Sequence, residues 1–169
     1  KIRTPATSGN KYHYLNWAKE VTGVGDARVF PLHGGPGTVG VMIINGNKKA
    51  ADGALIEEVA AYIEDNRPIG AAVTVFTAEE KAIDISVTLV IDVGNYTEEE
   101  VAASIEHNLT AYFRGIAFKE PYVSYAKIGN IIFDTAGVMD YSGLQVDGGI
   151  SNIMIGDTEI AGLGGVTLG

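Results

Sequence analysis

The sequence predicts an α+β fold made of two small units, each a mostly antiparallel sheet of about three strands with two helices packed on one face. Three observations lead there. Helical stripes alternate with short β-branched runs along the chain. From Ile83 to Val93 apolar residues (Ile83, Ile85, Val87, Leu89, Ile91, Val93) alternate with mostly polar ones, so that strand has one wet face; strands covered on both faces read as continuous apolar runs. Finally, Gly-Val-x-Asp occurs at Gly23 to Asp26 and again at Gly137 to Asp140, each time behind an amphipathic helix and ahead of a strand pair.

Residues 1–11 are polar and read as a linker entering from a missing N-terminal region. The first unit spans 12–79. Its first helix, over 12–22, places Tyr14, Trp17, Ala18 and Val21 on one face, and Gly23 stops it as a left-handed cap. The runs 27–33 and 38–45 read as strands flanking a glycine loop. A second helix starts near Gly53 with Asp52 as N-cap. Leu55, Ile56, Val59, Ala60 and Ile63 are its stripe, and Arg67-Pro68-Ile69-Gly70 its stop. A strand over 71–77 completes the unit, with the boundary between Ala78 and Lys81.

The second unit, 80–169, opens with the alternating strand. Thr97 to Glu100 reads T-E-E-E, a capping box in which hydroxyl and carboxylate satisfy each other's backbone N–H groups. The helix behind it turns Val101, Ile105, Leu109, Tyr112, Phe113 and Ile116 inward. A helix over 124–136 groups Tyr125, Ile128, Ile131 and Ile132 and ends at Gly137. The remainder reads as short strands broken by Gly and Asn turns.

Composition narrows the function. The chain has 21 acidic and 12 basic residues, a net charge of −9, so nucleic acid is excluded as a partner unless the bases cluster. No cysteine is present, which removes disulfides, thiolate metal sites and Cys nucleophiles. The longest apolar runs, such as 39–44, are too short to span a bilayer, so no membrane insertion is expected.

Gly35, Gly37 and Gly40 match the G-x-G-x-x-G spacing of a dinucleotide-binding loop. A pyrophosphate site needs that loop to open a helix, whose terminal amides and dipole hold the anion. Here Gly40 leads into Val-Met-Ile-Ile, a strand; Pro36 removes a donor, and the acid expected about 20 residues on falls at Val59 and Ala60. The expectation is a turn. His13, His33 and His107 lack metal-ligand spacing, and the acidic pairs Glu57-Glu58 and Glu79-Glu80 and the run Glu98 to Glu100 read as solvated charge. Tyr12, Tyr14 and Trp17 could stack sugars, but aromatic residues at helical spacing more often pack a core. No catalytic, cofactor or metal constellation appears, and no enzyme activity is expected.

Four blocks carry a resemblance. They are Y-L-N-W-A-K-E-V-T-G-V-G-D-A-R-V-F-P, G-P-G-T-V-G-V, R-P-I-G-A-A-V-T-V and G-V-M-D-Y-S-G-L-Q-V-D-G-G. In order and spacing they resemble the carboxy-terminal part of the baseplate J family of contractile phage tails. The motif residues are Tyr14, Trp17 and Ala18; Gly23, Val24 and Gly25; Gly35, Pro36, Gly37 and Thr38; Arg67, Pro68 and Gly70; and Gly137, Val138, Asp140 and Tyr141. The resemblance implies a structural wedge component of a tail baseplate, assembled in the bacterial host cytoplasm, with other baseplate and tail proteins as partners and self-association in a wedge or ring. It carries over no catalytic residue. The alternatives are a small-ligand or nucleotide-binding α/β domain using the Gly35 to Gly40 loop, and a carbohydrate-binding receptor module at the tail tip.

Overall fold

The structure is a computed structural model and describes residues 11–169. The expected linker lies outside the described residues except for Lys11, which opens the first helix. In chain order the elements are α1 (Lys11–Glu20), β1 (Val24–Pro31), β2 (Thr38–Asn45), α2 (Gly53–Asn66), β3 (Ala72–Thr77), β4 (Glu79–Ile91), α3 (Glu98–Ile116), β5 (Tyr122–Val123), α4 (Tyr125–Asp134), β6 (Val138–Val146), β7 (Ile153–Met154) and β8 (Glu159–Leu168). The chain divides into two compact units between Glu79 and Glu80. Each contains helices and a three-stranded sheet, so the fold class is α+β.

In the first unit the sheet order is β1-β2-β3. β1 and β2 form an antiparallel hairpin, whereas β2 and β3 run parallel, from Thr38 opposite Ala72 to Ile43 opposite Thr77. This sheet is therefore mixed. The reason is α2: a helical crossover carries the chain back to the end it left, so the next strand runs the same way. Asp52 caps α2 as expected, its Oδ1 accepting from the Leu55 N–H at 2.8 Å. Tyr14, Ala18 and Val21 pack with Val41, Ile43, Val59 and Ile63 to form the core, where each fully buried Val or Ile contributes about 1.5–3 kcal/mol. Ala60 is exposed, one residue off the centre of the helix stripe. Met42 and Ile44 are fully buried too, although they point to the face opposite Val41 and Ile43. Burial on both faces explains why β2 is written as an unbroken apolar run.

The second unit orders its sheet β6-β4-β8. β4 alternates as its sequence requires: Ile83, Ile85 and Val87 are buried and the residues between them exposed. Val93, however, lies beyond the strand, 86% exposed in the turn after it. β6 pairs antiparallel with β4. On the other side, contacts from β8 advance together with β4: the Gly165 N–H donates to Asp84 Oδ1 and the Gly169 N–H to the Val87 carbonyl. The capping box is present in full, with the Glu100 N–H on Thr97 Oγ1 at 3.2 Å and the Thr97 N–H on Glu100 Oε2 at 2.9 Å. α3 buries Val101, Ile105, Leu109, Phe113 and Ile116 against Ile128, Ile132 and Leu144, while Tyr112 stays at the margin. Ser124 caps α4. The small β5-β7 sheet has no counterpart in the sequence reading, since two-residue strands carry no period.

The repeated Gly-Val-x-Asp is one backbone device used twice. Gly23 (φ +101°) and Gly137 (φ +91°) take the left-handed conformation that ends each helix. In β1, Val24 and Asp26 face Asn45 and Ile44, leaving Gly25 as an extra residue; in β6, Val138 and Asp140 face Ile91 and Val90, leaving Met139 extra. That is a β-bulge at the same motif position. Each aspartate then braces its bulge, Asp26 Oδ1 accepting from the Ala27 N–H and Asp140 Oδ1 from the Tyr141 N–H, both at 2.8 Å.

Candidate functional site

The glycine loop joins β1 to β2 and turns the chain. Gly35 (φ +109°) and Gly37 (φ +77°) supply the positive dihedrals, with Leu32 also left-handed at +59°. An anion would need the loop's amides, and most are already used. The Leu32 N–H donates to the Thr38 carbonyl (2.9 Å), the Gly35 N–H to the Leu32 carbonyl (3.0 Å) and the Thr38 N–H to the Gly35 carbonyl (3.3 Å). The Gly34 N–H is held by Thr38 Oγ1 at 2.7 Å, and that hydroxyl donates to the Gly35 carbonyl at 2.7 Å. Pro36 has no N–H. Thr38 is thus the centre of the loop, accepting two of its amides and closing it on itself.

Gly40, third in the spacing, has a different role. It is buried within β2, and a Cβ there would lie 2.7 Å from His33 Cγ. The His33 ring lies over it and stacks on Phe76, ring centroids 4.9 Å apart and 17° from parallel, with Phe30 beside Phe76. The missing side chain makes room for an imidazole, and the chain from Val41 to Asn45 continues as strand. The loop expectation holds, and the residue types that mimic a fingerprint are those of a tight hairpin packed against an aromatic stack.

The other candidates separate. Tyr14 is 2% exposed, so Tyr12, Tyr14 and Trp17 present no common surface to a sugar; Trp17 meets Tyr14 edge-on with centroids 5.4 Å apart. Among the described residues no group of three or more His, Cys, Asp or Glu side chains could hold a metal ion. Glu57, Glu58, Glu79, Glu80, Glu98 and Glu99 are all exposed, and Glu100 serves the capping box. A groove of about 590 Å³ between the start of α3 and β8 is lined by Thr97, Glu98, Glu99, Ala102, Val166 and Leu168, with Glu98 and Glu99 as its ionisable side chains and no His or Lys among them. Among the described residues no helix is long and apolar enough to cross a membrane.

Of the remaining motif residues, Gly23, Gly137 and Arg67 to Gly70 stand where the chain changes direction, whereas Tyr14, Trp17 and Ala18 lie within α1 and Tyr141 within β6. Arg67 is the residue whose role was least legible. Its side chain, 15% exposed, grips Glu64 with two bonds, Nε to Oε2 at 2.7 Å and Nη2 to Oε1 at 2.9 Å. Nη1 turns back to the carbonyls of Pro68 and Ala71. The Glu64 hydrogen bonds hold the guanidinium pKa above its ordinary value, so Arg67 keeps its charge. The signal that could have revealed it is the Glu64/Arg67 i,i+3 pair. Tyr141 lies against α4, where Gly129 leaves room for its hydroxyl.

Comparison with known proteins places the chain in a family. Residues 6–77 match the Baseplate J-like central domain and residues 83–169 the Baseplate J-like protein C-terminal domain. The chain is 38% identical to the phage-like element PBSX protein XkdT of Bacillus subtilis, over 99% of this chain and 50% of that protein. It is 34% identical to baseplate protein gp47 of Escherichia phage Mu over 50% of this chain and 27% of that protein. The fold also aligns with a chain of the anti-feeding prophage baseplate, at a TM-score of 0.62, 15% identity, and coverage of 87% of this chain and 35% of that one. The chain spans about half the length of the Bacillus relative, and its two units coincide with two consecutive matched domains. It belongs to the baseplate J-like family, carrying that family's central domain followed by its C-terminal domain.

Proposed function

We propose that this chain is a structural wedge component of a contractile, phage-like tail baseplate, located in the baseplate of the assembled tail and built into it in the bacterial cytoplasm. It works by presenting rigid surfaces to neighbouring baseplate and tail proteins. Copies repeat around the tail tube, and their rearrangement is coupled to sheath contraction. It is not an enzyme and takes no cofactor, nucleic acid or membrane as partner. One observation supports the reading above the others: the chain matches the Baseplate J-like central and C-terminal domains in succession, while the fingerprint-like loop has spent most of its amides on itself.

The test uses the full-length protein mixed with the tail proteins encoded beside it and followed by size-exclusion chromatography and light scattering. Stable association with at least one baseplate protein is the expected result. Failure to associate with any of them, combined with calorimetric nucleotide binding that Gly37→Val abolishes without unfolding the protein, would replace this reading with the ligand-binding alternative.

A further inference from the structure

The sheet of the second unit has an open lane where β4 finishes. On the β8 side the Gly169 N–H donates to the Val87 carbonyl at 2.9 Å, and β8 stops at Leu168, while β4 runs on to Ile91. Backbone groups alternate between the two edges of a strand. The Asp84 carbonyl and the Asp92 N–H serve the β6 side, bonding Asp147 and Gly137, so the odd-numbered residues face the β8 side. The Ile91 carbonyl is taken by the Val93 N–H at 3.0 Å. The Leu89 carbonyl and the Ile91 N–H therefore point into a lane that no described strand fills. One residue of an added strand bonds such a pair.

The lane opens on a groove. A cavity of about 260 Å³ is lined by Leu89, Ile91, Val93, Glu98, Leu168 and Gly169, and Glu98 and Leu168 also line the larger groove beside α3. Leu89, Ile91 and Leu168 are only partly buried against the core, so an added strand, which turns every second side chain to this face, would cover apolar surface there. Charge indicates which strand fits. The first unit has as many basic as acidic residues, so the whole net charge of −9 lies in the second. The basic residues of that unit stand at its far end: Lys81 at the start of β4, Lys127 at the start of α4, Lys119 just past α3, and Arg114 about 24 Å along α3 from Glu98. At the lane stand Glu98 and Glu99, which line the grooves, and Asp92 between Ile91 and Val93. The helix dipole favours acids at the start of α3, and the result is an apolar lane with an acidic border and no base of its own unit beside it.

We infer that the lane takes an extended segment of another protein of the same tail, added to β4 as a short strand, with an apolar side chain seated in the groove and Lys or Arg beside Glu98 and Glu99. This rests on the baseplate reading above. Main-chain bonds to Leu89 and Ile91 would hold the segment, and the groove and its acids would select it. A second copy of this chain is the poorer fit, since its second unit brings the same sign of charge and its first is neutral overall.

The experiment places a photo-cross-linking p-benzoylphenylalanine at position 93 of the full-length protein, on the exposed rim of the groove, in purified tail particles, and maps the cross-linked peptide by mass spectrometry. One other tail protein, cross-linked within a few residues of a Lys or Arg, is expected. Two variants then isolate the backbone bond: Ile91→Ala and Ile91→Pro both lose most of the isoleucine side chain, but only proline removes the N–H. Ile91→Pro should enter particles about tenfold less than Ile91→Ala, and the two should melt within a few degrees of each other, because proline is tolerated on a free strand edge. Cross-links only within the protein or to a second copy, no cross-link at all, or equal incorporation of the two variants would overturn the inference while leaving the baseplate reading intact. So would a much lower melting temperature for Ile91→Pro, which would show that the N–H already has a partner in the fold. Absence of the unaltered protein from the particles would overturn the baseplate reading, and the added strand with it.

Discussion

Both units place a central strand between two neighbours and enter one neighbour through a helix, a left-handed glycine, a bulge and a bracing aspartate. In the first unit that device feeds β1, which precedes the central β2; in the second it feeds β6, which comes after the central β4. A helix succeeds the central strand in each case, α2 after β2 and α3 after β4. The local element is portable and the order of the chain is not bound to it. What differs is the steric load on the glycine: a Cβ at Gly23 would meet Leu55 Cδ1 at 3.4 Å, an ordinary contact, whereas at Gly137 it would lie 2.7 Å from Tyr96 Cγ and 2.8 Å from Val101 Cγ2. The bulge positions are loaded the other way. A Cβ at Gly25 would fall 2.0 Å from the Asn45 carbonyl oxygen, while Met139 sits 63% exposed. One motif therefore meets different constraints in the two places.

The largest effects test whether the units have separate cores. Ile63→Ala and Leu109→Ala should each cost about 2–5 kcal/mol, and each should lower one of two calorimetric transitions. Equal movement of both transitions by either substitution would break the division. Next come the cap glycines. Gly23→Ala should cost about 1 kcal/mol from its left-handed φ alone, and Gly137→Ala clearly more, because the new methyl displaces Tyr96 or Val101; equal losses in denaturant titrations would show that the crowding is not felt. Smaller again, Thr97→Ala should cost about 1 kcal/mol in the second unit by dissolving the reciprocal cap.

The smallest effect is one of pH. In the first unit the Tyr62 hydroxyl donates to the Glu20 carboxylate, linking α2 to α1. That hydrogen bond, then burial and the Glu20 charge, raise the phenol above its ordinary 10.0. The folded state holds this proton more tightly than the unfolded one, so the contribution is complete below pH 10 and is lost as pH rises beyond it. Tyr62→Phe should therefore be slightly less stable than the parent at neutral pH, with the gap closing above about pH 10. A gap that widens there would reverse the assignment.

Much of this was legible in the residues. Periodicity reported α3 and β4 because each buries a single face, and capping chemistry reported the starts of α2 and α3 because a side chain three residues from an amide leaves its mark in composition. Pairing direction was not: nothing in Ala72 to Thr77 says that it lies parallel to β2, since direction comes from the crossover and not from the strand. β5 and β7 are too short to carry a period. At the loop, the turn was readable from Pro36 and the strand after Gly40, but the His33 ring over Gly40 joins residues whose pairing no spacing rule encodes.

At the centre stands the proposal that this chain is a structural component of a contractile tail baseplate. Quantitative mass spectrometry of purified tail particles from the source strain tests it most directly: the account predicts the full-length protein at a fixed ratio to the other baseplate proteins. Particles complete with tube, sheath and baseplate but lacking this chain would contradict it.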